Sequence, residues 1–322
     1  MSKSLKKVLR IIVPLSLGIL LILFVYSKTS PSDRKAIVEN IANADPLWIL
    51  LSIGIGILSH LSRAIRWNYL LEPLGYVPKI SNGFFIVMVA YLANLGVPRS
   101  GEFLRATALT TYEKVPFEKG FGTIVTERVV DLIMLLIIII IALLLQTNFI
   151  LGYLKVYGVN LAFSILALVL GILGLIVLLR FTRKAKSGFL LRLKVFFDGM
   201  LEGVGSILKM NKRGPFVFHT IFIWACYIGM FWMVTFAIPE TQNMGLPELL
   251  VAFVAGAFAM MAFPGGLGGY PIFVSAALSL YGISPNSGDA FGWVMWISQT
   301  LMILVLGTIS FLLLPLLNKT NT

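Results

Sequence analysis

Two arginines and a glutamate sit between apolar runs in NLGVPRSGEFLRA, Asn94 to Ala106. Arg99 and Arg105 carry planar guanidinium forks, the side chain best matched to a phosphate held through two parallel hydrogen bonds. Amides opening a helix at Ser100–Glu102 would add positive dipole at the same place. That chemistry suits an anionic lipid headgroup, with Asn94 a further polar group beside it. In a second reading the arginines pair with Glu102, Glu127 and Asp131 and lock the segment against its neighbour. The two readings are compatible. Pro98 removes a backbone donor, and Gly96 and Gly101 permit a tight reversal, so the stretch reads as a broken helix pair.

Other polar residues stand in apolar surroundings, where charge is expensive and by default marks function. In VTERVVDLIML, Glu127 and Asp131 share one helical face while Arg128 points about 100° away. A structural ion pair leads there, with headgroup contact as the alternative. Arg63 and Arg66, next to Trp67, close an apolar run and read first as anchors whose heads snorkel to the interface, then as further headgroup contacts. The glycines of PGGLGG (Gly265, Gly266, Gly268 and Gly269) give either a helix break with close packing or an amide-rich nest beside a ligand. His60 and His219 lack metal-ligand spacing and read as packing or interfacial residues. There is no Walker loop and no nucleophile elbow. Neither a metal nor a cofactor is expected, and the chain does not read as an enzyme.

These residues need a scaffold. The 322-residue chain is 58% hydrophobic and only 12% charged, where a soluble chain carries roughly a quarter charged residues. Apolar runs recur near the ~20 residues that span hydrocarbon. Expected spans cover 11–27, 46–65, 122–145, 159–180, 215–237 and 289–316, with shorter apolar pieces at 81–96, 246–263 and 270–281. The polar stretch PSDRKAIVENIANADP reads as interfacial. The N-terminus resembles a signal peptide but lacks a convincing cleavage site, so a retained first helix is expected. The single Cys226 lies mid-helix and reads as packing. A net charge of +12 does not imply nucleic acid here, because the positive residues crowd into short connections. Helix orientation and anionic phospholipid at the cytoplasmic face explain them better.

Lys3, Lys6, Lys7 and Arg10 place the N-terminus in the cytoplasm, as does the basic connection Arg180–Arg213 for its own segment. The connections at 146–158 and 238–245 face outward. The pieces at 81–112 and 246–281 must then each enter and leave on one side, the first cytoplasmic and the second outer. The expected fold is an all-α polytopic membrane protein with about six full spans plus two oppositely oriented re-entrant helical hairpins arranged as an inverted repeat. Its parts are 1–45 (membrane helix and interfacial segment), 46–146 (first half), 147–214 (linking span and basic loop) and 215–322 (second half). Broken helices at matching places in inverted halves point to a transport site near the midplane. The sequon at Asn318 falls at the expected cytoplasmic C-terminus and is discounted.

NLGVPRSGEFLRA, ERVVDL and FPGGLGGY, in that order, resemble the hallmarks of the lysylphosphatidylglycerol synthetase transmembrane-region family, also described as flippase-like or as uncharacterised protein family 0104. The similarity covers essentially the whole chain. It implies a flippase-like domain, without the cytosolic aminoacyltransferase of the family's best-understood members. Relatives are linked to phospholipids, polyprenyl-linked sugars or envelope glycolipids, so the resemblance does not transfer a substrate. Where relatives often carry a polar residue after the glycines, frequently glutamate, Pro271 stands here, which weighs against a lysyl-lipid.

The expected function is translocation of an anionic or polyprenyl-phosphate lipid between leaflets of the inner (cytoplasmic) membrane. A small-solute channel or permease, or a non-transporting scaffold subunit, is the alternative. The expected partners are the lipid headgroup and anionic phospholipids, with a homo-oligomer left open. A cysteine placed at Gly152 is expected to label from outside the cell, and one at Ser187 only after permeabilisation. The reverse pattern at both positions would invert the orientation.

Overall fold

A computed structural model describes residues 23, 26–27, 29–97, 99–147, 149, 207 and 210–318. The expected spans at 11–27 and 159–180, the connection at 146–158, most of the basic connection 180–213, and Pro98 lie outside these residues. Among the described residues every regular element is helical. The α-helices are α1 (Pro31–Ala42), α2 (Pro46–Leu71), α3 (Ile80–Gly96), α4 (Ser100–Glu113), α5 (Phe117–Leu145), α6 (Arg213–Thr235), α7 (Leu246–Ala262), α8 (Gly269–Ser279) and α9 (Pro285–Leu317). The expected apolar segments reappear within a few residues of their bounds. The second span differs: α2 continues to Leu71, well past the expected end at 65.

Local chemistry accounts for several starts. Ser30, Asp45 and Ser284 each accept a hydrogen bond from a backbone amide of the first turn of α1, α2 and α9, and each is followed by a proline at the first helical position. A side-chain acceptor satisfies an orphan amide, and proline has no amide to satisfy.

Among the described residues four helices, α2 (with the turn after it), α5, α6 and α9, are long and apolar enough to cross a membrane. Helices α3, α4, α7 and α8 have 17, 14, 17 and 11 residues. At 1.5 Å per residue they reach only about 26, 21, 26 and 17 Å, short of the ~30 Å hydrocarbon core. The order long, short, short, long therefore occurs twice, as α2–α5 and α6–α9.

The chain divides into two compact units, 1–124 with 214–322, and 125–213. In the first unit, α3 packs beside α4 and α7 beside α8, while α9 lies against α8, α3 and α1. Glycine sets the closest approaches: a Cβ at Gly292 would stand 2.5 Å from the Pro271 Cα, and one at Gly307 would stand 3.1 Å from the Met88 carbonyl. Small residues at such crossings replace a hydrophobic driving force that lipid does not supply. A core of Trp67, Leu71, Ile86, Leu109, Ile124 and Leu314 is sealed by the Trp67 indole donating to Thr123 Oγ1 at 2.8 Å.

At the other end Glu240 accepts from the Ser284 amide at 2.7 Å and from its hydroxyl at 2.6 Å. Burial pushes this carboxyl up, but hydrogen bonds from Ser284 and Ser287 hold it below the ordinary 4.5. Asn286 donates to Asp33 at 3.2 Å and Asn40 to Ser287 at 3.4 Å, tying α1 to the start of α9. In the second unit, Arg128 lies 3.7 Å from Asp131, one turn along α5. The arginine expected on a separate face thus reaches the carboxylate, because side chains three apart on a helix are neighbours.

Candidate functional site

The two breaks between short helices meet. A Cβ on Gly265, in the turn after α7, would lie 3.4 Å from Leu95 Cδ2 at the end of α3. Both breaks belong to the first unit.

At the first break the chain leaves α3 through Val97 and starts α4 at Ser100, with Arg99 between them in the left-handed region (φ 63°, ψ 12°). A non-glycine residue held there costs on the order of 1 kcal/mol or more and is found where the surroundings over-determine it. The Arg99 side chain is exposed, and among the described residues it makes no hydrogen bond or ion pair. Arg99 gives α4 no side-chain cap; Asn94, from the preceding helix, does so by accepting from the Gly101 amide at 2.7 Å. Any side chain at Gly101 would run into the Ala90 carbonyl and the Asn94 amide.

The Ser100 amide bonds the Val97 carbonyl at 3.1 Å. Two of the three amides expected to face an anion at Ser100–Glu102 are therefore occupied within the hairpin. The helix dipole remains, and Arg99 becomes the principal donor at the tip.

Arg105 is separated from Arg99 by this geometry. It is buried, with its guanidinium 3.8 Å from the centre of the Trp67 ring, a cation–π stack. Glu102, one turn away, is half-buried.

Arg63 and Arg66 do not snorkel. Helix α2 runs on past them, and both are buried. Arg63 donates to the Tyr227 hydroxyl at 2.9 Å and Arg66 to Thr220 Oγ1 at 3.3 Å, both partners on α6. They extend a polar stripe of Ser52, Gly56 and Ser59 at alternating steps of four and three, which puts all five residues on one helical face. Ser52 donates to the Met230 carbonyl at 2.9 Å and accepts from Gln299 of α9 at 3.2 Å. The small-and-polar spacing of the stripe was available in the sequence; Tyr227, Thr220 and Gln299 carried no local signal. His60 packs at a tilt against Tyr91, 4.6 Å between ring centres, and His219 shares a 2.8 Å hydrogen bond with Ser62.

At the second break Gly265, Gly266 and Gly268 all have positive φ, at 59°, 72° and 72°. Gly269 lies under the Phe263 ring with no room for a Cβ. The Gly266 and Leu267 amides bond inside the turn, to Phe263 and Pro264. The glycines therefore serve the break and its packing, and those two amides are not free for a nest. The Trp296 indole, which sequence reasoning did not single out, donates to the Gly265 carbonyl at 2.7 Å and pins the turn to α9. Glu127, Arg128 and Asp131 lie in the second unit, where Glu127 is buried and Asp131 faces Arg128.

The lysylphosphatidylglycerol synthase transmembrane region family matches residues 11–307, and the chain belongs to it. A UPF0104 membrane protein of Methanocaldococcus jannaschii is 28% identical over 139 residues, 42% of this chain and 39% of that protein. The glycosyltransferase AglD of Haloferax volcanii is 28% identical over 102 residues, 31% of this chain and 16% of that protein. The chain thus covers less than half of each relative's own length. No solved structure matches it.

The cap on α4 is directly testable. Asn94→Ala should lower stability by about 1 kcal/mol, the usual worth of a helix cap. Asn94→Asp, which keeps the acceptor oxygen, should lose less. Thermal unfolding of the purified protein in detergent would show this order; an alanine variant as stable as wild type would remove the cap from the account.

Proposed function

We propose that this member of the lysylphosphatidylglycerol synthase transmembrane region family is a lipid translocase. It moves an anionic phospholipid or polyprenyl-phosphate lipid between leaflets of the cytoplasmic membrane, with both termini cytoplasmic and no chemical step on the lipid. The observation that carries the proposal is the contact of two helix breaks, Leu95 against Gly265, with an exposed and strained arginine at the tip of one of them. In this reading each pair of short helices re-enters from its own face and the tips close the midplane. Broken helices placed this way in two halves of a chain form the transport sites of several membrane carriers.

A headgroup crossing hydrocarbon needs a polar path, while its tails can stay in the bilayer. Arg99 supplies the first contact, a fork with no protein partner among the described residues. The polar face of α2, from Arg66 through Arg63 and Ser59 to Ser52, supplies groups deeper in the protein. Parting of the two tips opens the path between them. The buried arginines hold this framework, and Arg105 is kept on Trp67 for the same purpose.

The experiment is a dithionite-quenching assay of NBD-phosphatidylglycerol movement in proteoliposomes, normalised to monodisperse protein. Arg99→Ala removes a charged hydrogen bond worth about 1.5–3 kcal/mol, so the rate should fall about tenfold or more. Arg99→Lys keeps the charge but loses the fork and should fall between Ala and wild type. Both variants should fold normally, since the side chain is exposed. A wild-type rate in folded Arg99→Ala would rule out the headgroup role.

A further inference from the structure

A cavity of about 180 Å³ lies beside the second break, lined by Gly268 and by residues of α1, α8 and α9. That volume holds about a dozen water-sized groups, enough for a small polar head with the first atoms of its tails. Its wall is mostly apolar, built from Val38, Ile272, Pro271 and Trp293, and it carries two opposite charges, Arg34 and Asp289. Nothing in the translocation reading uses it.

The two charges do not neutralise each other. Arg34 donates through Nε and Nη2 to the Tyr26 carbonyl at 3.1 and 2.6 Å, and its guanidinium lies 3.7 Å from the centre of the Tyr26 ring. Among the described residues no carboxylate forms an ion pair with it. Ser275 lies beside Asp289 but gives its hydroxyl to the Pro285 carbonyl at 3.4 Å, and among the described residues no lysine or arginine bridges Asp289. Asp289 is half-buried, one helical turn before Trp293, so carboxylate and indole share a face of α9.

A purely anionic ligand would leave Asp289 facing like charge, and a purely cationic one would face Arg34. A ligand carrying both charges satisfies each wall, the basis of electrostatic selectivity. The indole adds an attractive face for an ammonium group. The apolar lining, with Val38 of α1 64% exposed at its edge, assigns the ligand to the lipid phase.

We propose that this cavity binds the headgroup of a zwitterionic aminophospholipid, its phosphate on Arg34 and its ammonium between Asp289 and Trp293. The site does not depend on whether the protein moves lipids, so failure of the transport assay leaves it standing.

The test is native mass spectrometry of the delipidated full chain titrated with phosphatidylethanolamine or phosphatidylglycerol. Wild type should bind phosphatidylethanolamine about tenfold more tightly, the worth of one charge-assisted hydrogen bond. Asp289→Asn should abolish that preference, Asp289→Glu should keep it, and Arg34→Gln should weaken both lipids. On the unaltered protein, N-acetylation of the ethanolamine removes its charge and should also abolish the preference, which covers the case of a variant that does not fold. Soluble glycerophosphoethanolamine should not compete. Equal binding of the two lipids by wild type, a preference that survives Asp289→Asn or N-acetylation, an Arg34→Gln variant with unaltered affinities, or effective competition by the soluble headgroup would each overturn the proposal.

Discussion

Backbone groups exposed by breaking an apolar helix have to be satisfied by the protein wherever water is excluded, since apolar surroundings offer no partners. This chain breaks two helices and answers each break with a side chain from elsewhere. Asn94 turns back to take the Gly101 amide, and Trp296 reaches from α9 to the Gly265 carbonyl. Those two hydrogen bonds fix the tips, and the tips then fix what lies beside them. Arg99 is held in a conformation that non-glycine residues avoid, with its side chain outward.

Buried arginines follow a related logic. A guanidinium taken from water is strongly destabilising unless its donors and its charge are answered. Here the answers are distributed: a hydroxyl from Tyr227 for Arg63, a hydroxyl from Thr220 for Arg66, and the face of Trp67 for Arg105. Trp67 also donates to Thr123, so one indole links the charged layer to the apolar core beneath it. Of the arginines around the first break, this division leaves Arg99 able to meet a ligand without dismantling packing, and it separates two residues that the sequence places in one motif.

The breaks and most helix limits were legible because they rest on local chemistry. Proline after serine or aspartate opens α1, α2 and α9, and Gly96, Gly101 and the PGGLGG run mark the reversals. The end of α2 was not legible. Ser62, Arg63 and Arg66 look like the polar end of a span, yet they continue it because the His219 imidazole and the Tyr227 and Thr220 hydroxyls of α6 receive them, and no local pattern announces a partner more than a hundred residues away. At α4 the reason is closer at hand: Asn94, seven residues back in the same motif, takes the Gly101 amide, and the Val97 carbonyl takes that of Ser100. Trp296 was invisible as a functional element, because α9 carries two tryptophans, Trp293 and Trp296, and only the fold shows which one meets a carbonyl.

The claim on which the rest turns is that the two breaks touch. A diazirine-bearing leucine analogue placed at Leu95 and photolysed in native membranes tests it directly, with the adduct located by mass spectrometry. The cross-link should fall on residues 263–267, at the turn that holds Gly265. Labelling of lipid alone, or of a helix remote from that turn, would contradict it.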